Sequence, residues 1–160
     1  MKIITLTGGK VSKVDNKDYK RLNRWPWFYS NGHALRNIRL SNNKPLRWYM
    51  HWDIIGRPNH GLVVDHINGD GLDNRTRNLR ICTQGQNRMN STRYNNNTSG
   101  YKGVHYYKKT GKFASYVCVK SKKIHLGYFD TAKNAAIEYN KAAKRYHKKF
   151  CRLNVIRQHD

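Results

Sequence analysis

Along the chain, short apolar runs alternate with polar, turn-forming stretches, and the spacing predicts many small elements. Residues 3–14, IITLTGGKVSKV, read as two short strands around Gly8-Gly9. DNKDYKRLN (15–23) suits a short helix with Asp15 or Asn16 as its cap. WPWFYS and HALRNIRL flank Asn31-Gly32, a strong hairpin signal, and SNNKP forms a further turn. In LRWYMHWDIIG (46–56) strand and helix signals compete, and a helix is expected after Met50. This first third is expected to form a small β-rich lead-in.

From 62 to 94 the pattern changes to strand, polar loop, strand, helix: LVVDHI, then NGDGLDNRTR, then NLRIC. The helix runs through QGQNRMNSTRY behind Thr83 as cap, although Gly85 inside it costs about 1 kcal/mol against Ala. NNNTSG (95–100) is polar and without periodicity, which predicts a linker. Three strand-like runs follow, YKGVHYY, KFASYVCVK and KIHLGYF. A helix over about 131–148 comes next, capped by Asp130 or Thr131. Ala135, Ala136, Tyr139, Ala142, Ala143 and Tyr146 recur there at helical spacing and make one stripe. The chain therefore reads as α+β. Residues 1–94 form the lead-in and a strand–loop–strand–helix finger at about 62–94, 95–100 the linker, and 101–160 a second domain of three antiparallel strands on one helix.

Charge adds the next constraint. The chain has 160 residues, with 32 Lys+Arg against 9 Asp+Glu and a formal net charge of +23. Such a field attracts polyanions, and nucleic acid is the commonest in a cell. No stretch approaches the roughly 20 apolar residues of a membrane span, and MKIITLTGG is too short and polar for a secretory signal. The expectation is an intracellular, non-secreted protein without a membrane partner. With no heptad or other assembly signal, a monomer is expected. Cys82, Cys118 and Cys151 form no CxxC pair, so they are expected to be buried or half-buried rather than bridged or zinc-bound.

Against that basic background, three of the nine acidic residues, Asp65, Asp70 and Asp73, fall within nine positions around His66. An EF-hand reading fails, because its first and twelfth positions would be His66 and Arg77 instead of carboxylates. Phosphodiester hydrolysis fits better: it needs an activated water and a cation for the developing charge. His66 is suited to a general base and Asp65 to a hard oxygen ligand. The helix after NLRIC offers Asn87 and Asn90 for a second ligand. Asp70 and Asp73 suit turn formation better than ligation, since Asn-Gly-Asp-Gly is turn chemistry. Arg75, Arg77, Arg80 and Arg88 suit phosphate contact.

VDHINGDGLDNRTRNLRICTQGQNRMN resembles the HNH homing endonucleases, notably the phage and intron group with DHINGD–LDNR–NLR–T–QN–N. The resemblance implies a ββα-metal finger that cuts or nicks double-stranded DNA with one divalent cation, Mg2+ or alternatively Mn2+. It implies His66 as the base, Asp65 and Asn87 as metal ligands, and Asn78 as the brace that aims the histidine. His51 sits where the group commonly has His followed by Arg, and is read as packing or phosphate contact.

SGYKGV, GKFASYV, HLGYFDTAKNAAIEYNKAA and the closing LN resemble the AP2-type DNA-binding domain, which lays the outer face of its sheet in the major groove. The matching positions are Lys102, His105, Tyr107, Tyr116, Cys118, Lys123 and His125, and Phe113 stands in place of the usual Trp. Lysines and tyrosines favour phosphate positioning over base reading. The combined expectation is a metal-dependent, homing-type DNA endonuclease, which the resemblance places in the cytoplasm of a bacterium or of a phage-infected cell. The rivals are a non-catalytic DNA-binding regulator with an inactive finger, and an RNA-binding protein.

Overall fold

The computed structural model describes residues 1–41, 43–93 and 96–156. The architecture is α+β, with four small antiparallel sheets and four α-helices among the described residues. Contacts divide the chain into two compact units, Met1–Gln84 and Gly85–Asp160. The polar stretch 95–100 therefore falls within the second unit.

In the first unit, β1 (Lys2–Thr5) and β2 (Val11–Val14) pair antiparallel across the Gly8-Gly9 turn. Helix α1 (Asn16–Leu22) follows Asp15, whose carboxylate does not cap it and instead accepts the Thr76 amide at 2.8 Å. Strands β3 (Phe28–Ser30), β4 (His33–Arg39) and β5 (Pro45–Tyr49) form a meander. Asn31 and Gly32 both take positive φ in its first turn, as the Asn-Gly pair predicts. Helix α2 (Met50–Ile55) begins where the mixed segment was expected to turn helical. The core closes around Ile4, Leu6, Val14, Leu22, Trp27, Ala34 and Met50.

The last layer of this unit is the hairpin of β6 (Leu62–His66) and β7 (Leu79–Thr83), with Asp65 opposite Arg80 and His66 opposite Leu79. Its long loop docks on the edge of β2. Lys13 donates its amide to Leu72 O at 2.8 Å, and its carbonyl accepts the Asn74 amide at 2.8 Å.

In the second unit, β8 (Val104–Tyr107), β9 (Lys112–Val119) and β10 (Lys122–Phe129) form one antiparallel sheet in the order β10-β9-β8. Helix α4 (Ala132–His147) packs on it and is capped by the Thr131 hydroxyl, which accepts the Asn134 amide at 3.1 Å. The alanine stripe is buried together with Tyr139, and the helix comes close enough that a Cβ on Gly103 would enter the Tyr139 ring. One member of the expected stripe is corrected. Tyr146 is 39% exposed, while His147, four residues after Ala143, is buried and reaches Cys118 O at 2.8 Å. Cys118, expected to be at least half-buried, is exposed on a strand face; all three cysteines are free.

Helix α3 (Gln84–Asn90) stops short of the expected span; Ser91 to Arg93 are non-helical and Tyr94 lies outside the described residues. Its end is tied down by the Lys102 ammonium, which donates to Arg88 O at 3.3 Å and to Met89 O and Ser91 O, each at 2.7 Å. Arg88 O also accepts the Ser91 amide and hydroxyl, at 3.2 and 2.8 Å, and the ammonium supplies a donor to Met89 O and Ser91 O where helical partners run out. The stretch expected to be a linker is also bonded: the Asn97 amide donates to Tyr101 O and Val104 O at 3.0 and 3.1 Å.

Candidate active site and nucleic-acid face

In the first unit, the sharp end of the β6–β7 hairpin is held by a net of side-chain amides. Asn78 Oδ1 accepts the Asn68 backbone amide at 3.0 Å, while its Nδ2 donates to Asn68 Oδ1 at 3.0 Å and to Asp73 O at 2.7 Å. Asn78 sits in a 3-10 turn, Thr76–Asn78, directly before β7. Asn68 Oδ1 also accepts the Asp70 amide at 2.9 Å, and Asp70 Oδ1 accepts the Leu72 amide at 3.0 Å. Those are local turns of the kind Asn and Asp make. Asp73 is nearly fully buried. Arg75 Nε donates to it at 2.6 Å and Asn68 Nδ2 at 2.8 Å. The Arg75 bonds hold its carboxyl below the usual carboxylate range.

Above this net, Asp65 and His66 are 3% and 5% exposed. Asn74 Oδ1 approaches His66 Nε2 at 3.3 Å, and Asn74 Nδ2 in turn donates to the Ser12 hydroxyl at 2.9 Å. Ser12 closes the relay by donating to Leu72 O at 2.9 Å. The aim of His66 is therefore fixed through Asn74 by a residue on β2. Asp65 Oδ2 accepts from Arg80 Nε at 2.8 Å and from the second guanidinium nitrogen at 2.6 Å. Arg75 and Arg80 thus commit their guanidinium groups to Asp73 and Asp65, whereas Arg77 is exposed.

Two further imidazoles meet His66. His33, the first residue of β4, and His51, in the first turn of α2, place their ring centroids each 5.3 Å from that of His66, and 5.6 Å from one another. Burial pushes the His51 imidazole down from 6.5 to about 3, with the neighbouring His66 and His33 adding to the shift. His66 and His33 are also lowered, chiefly by burial. For His66, the Asn74 bond and the nearby Asp65 oppose the shift. All three rings are consequently neutral near pH 7, and His66 can accept a proton. His33 lays its Nδ1 edge against Gly71, where an added Cβ would stand 2.7 Å from Nδ1 and closer still to Gly32 O. Sequence reasoning missed His33 and Asn74. Asn74 was visible within LDNR, but nothing in the local pattern around His33 marks it.

Asn87 and Arg88 lie on α3; Asn87 is half-buried and Arg88 exposed. In the second unit, the expected DNA-facing positions largely share one sheet face. His125 lies opposite Tyr116 and Lys123 opposite Cys118. Tyr116 stands 4.9 Å from His125 and 5.9 Å from His105, ring to ring, and the Lys123 ammonium lies 3.8 Å over the Tyr116 ring. A β-bulge between His125 and Gly127 brings Tyr128 beside His125 at 4.7 Å and Tyr107 at 5.9 Å, extending the aromatic row. Strict alternation hid Tyr128 from the sequence reading. Lys102 points elsewhere: its ammonium, pushed down to about 8 mainly by burial, serves the α3 carbonyls.

Residues 55–89 match the family model of HNH endonucleases. That supports an HNH endonuclease domain over the buried Asp65-His66 pair and its bracing loop. A 49-residue stretch, 31% of the chain, is 41% identical to the AP2-like ethylene-responsive transcription factor TOE2 of Arabidopsis thaliana, covering 10% of that protein. The APETALA2-like protein 2 of Oryza sativa, subspecies indica, matches at the same identity over 11% of its length. The chain thus spans about a tenth of the length of the curated relatives it matches. No solved structure matches it. The HNH match supports a nuclease-like, DNA-binding role at this coarse level. Among the described residues no helix is long and apolar enough to cross a membrane.

Proposed function

We propose that this protein is a metal-dependent endonuclease that hydrolyses phosphodiester bonds in double-stranded DNA, of the homing type, with His66 as the general base. The observation that carries the reading is the placement of a buried, neutral imidazole beside a carboxylate at a hairpin end, aimed by Asn74 and braced by Asn78. Burial lowers the proton affinity of His66 and keeps it in the accepting form at neutral pH, while Asn74 fixes the ring direction. Asn78 acts as a positioning residue by closing the loop against Asn68 and Asp73.

Asp65 and Asn87 offer hard carboxylate and amide oxygens, a donor chemistry that suits Mg2+ or Mn2+. Asn87 enters on the strength of the QNRMN motif. The cation would stabilise the charge that develops on the phosphate and the departing oxygen. Arg77, Arg88 and the sheet face of His105, Tyr107, Tyr116, Lys123 and His125 are proposed to hold the DNA backbone. Arg75, Arg80 and Lys102 then act by bracing their protein partners.

A non-catalytic DNA-binding reading draws on one observation: Arg80 occupies an Asp65 oxygen that a cation would need. A supercoiled-plasmid assay with Mg2+ separates the two. His66→Ala is expected to abolish nicking while leaving duplex affinity within about twofold. The wild-type rate is expected to hold down to pH values below 6.5, because the base titrates lower than an ordinary imidazole. Binding without nicking in the wild type refutes the nuclease.

A further inference from the structure

The cluster of His33, His51 and His66 is larger than a single base requires. It gathers three imidazoles from three separate elements, β4, α2 and β6, and their nearest ring nitrogens all lie within 4.8 Å of one another. We propose that these three histidines form a binding site for a borderline-soft transition-metal ion such as Zn2+, distinct in chemistry from the hard-oxygen pair assigned to Asp65 and Asn87. Imidazole donors favour zinc, copper and nickel, whereas carboxylate and amide oxygens favour magnesium and manganese.

The geometry is close to ligation. In a tetrahedral zinc site with bonds of about 2.0–2.1 Å, ligand nitrogens stand about 3.3–3.4 Å apart. Closing the cluster from 4.8 Å asks each ring to move inward by less than about 1 Å, within the reach of a small side-chain rotation. The backbones are held in advance: His33 opens a strand hydrogen-bonded to β3 and β5, His51 lies in the first turn of α2, and His66 ends β6. His33 lies against Gly71, where only a residue without Cβ fits. Asn74 Oδ1 orients the His66 ring as outer partners of ligating histidines do. Three histidines leave a tetrahedral ion one position for water or an anion.

A bound ion would take up the imidazole proposed as the base, so zinc would stop DNA cutting while Mg2+ supports it. This consequence alone rests on the nuclease reading; the binding does not. The experiment titrates the metal-stripped full chain with Zn2+ by calorimetry, and with Co2+ by visible absorption. One equivalent is expected to bind, with the intense d–d bands of a tetrahedral nitrogen site. His33→Gln and His51→Gln are each expected to weaken it by about a hundredfold or more, and His60→Ala, at an exposed histidine, to leave it unchanged. Circular dichroism checks that the variants fold. Independently of any variant, 15N spectra of histidine-labelled protein are expected to show zinc shifting the ring nitrogens of these three residues. Unchanged affinity in both glutamine variants, shifts confined to other histidines, or a thiolate charge-transfer band would each overturn the site. Zinc binding at the three rings in a chain that never nicks DNA would sustain the site and sink the nuclease reading.

Discussion

Acid is expected to destabilise the first unit through His51. The ring is 6% exposed, and burial, with His66 and His33 nearby, pushes it from 6.5 to about 3. The folded state keeps the imidazole neutral where the unfolded chain takes a proton. Stability from this group is therefore complete above 6.5 and drains away as pH falls through the window down to about 3. Between pH 7 and pH 5 the unfolded state gains close to one proton over about 1.5 pH units. At about 1.4 kcal/mol per unit this amounts to about 2 kcal/mol. Urea unfolding followed by tryptophan fluorescence reads the correct unit, because Trp25, Trp27, Trp48 and Trp52 all lie within Met1–Gln84. The wild type is expected to lose about 2 kcal/mol more than His51→Gln over that interval. His33 and His66, lowered for the same reason, leave a smaller slope in the variant. An identical pH dependence in the two proteins would refute the argument from burial.

Three other perturbations test separate parts of the structure. Gly71→Ala would push a methyl against Gly32 O and His33 Nδ1; it is expected to cost about 1–3 kcal/mol, and an unchanged urea midpoint would contradict that packing. Lys102→Met removes the donor to two α3 carbonyls, Arg88 O and Met89 O, and to Ser91 O just beyond the helix, and should cost about 1–3 kcal/mol. Hydrogen exchange around residues 88–91 would report it, and unaltered protection would count against the cap. Lys123→Ala takes one cation from the Tyr116 face and should lower the slope of log affinity for duplex DNA against log salt by about 0.9. An unchanged slope would remove Lys123 from phosphate contact.

Most of the element order was legible in the sequence because local signals and tertiary contacts agree: Asn31-Gly32 turns a hairpin, and Thr131 caps α4. Where they disagree, the reason is contact over long sequence distance. Helix α3 ends at Asn90, and Lys102 collects its terminal carbonyls, which no local pattern reveals. Asp15 looked like a helix cap, yet its carboxylate serves Thr76, sixty-one residues away. At the candidate site, DHINGD–LDNR–NLR is contiguous, so Asp65, His66 and Asn78 could be singled out from the chain alone. His33 could not, because a histidine after an Asn-Gly turn carries no mark of the hairpin it will face. The partners of Arg75 and Arg80 were similarly hidden: charge counting sees basic residues in excess, while the fold pairs these two with buried carboxylates.

The relay from Ser12 to Asn74 to His66, together with the Asp15 bond to Thr76, changes what a minimal catalytic piece would be. A fragment trimmed to the hairpin and its helix would keep every residue of the recognisable motif but discard the strand on which the loop rests. Its histidine would swing freely and its loop would open to solvent. Transplanting this finger into another scaffold thus requires carrying along the opening β1–β2 hairpin and the Asp15 that follows it, or supplying a hydroxyl and a carboxylate at equivalent points. Changes at Ser12, remote in sequence from any nuclease signature, are a route by which the loop could be loosened without touching the motif itself.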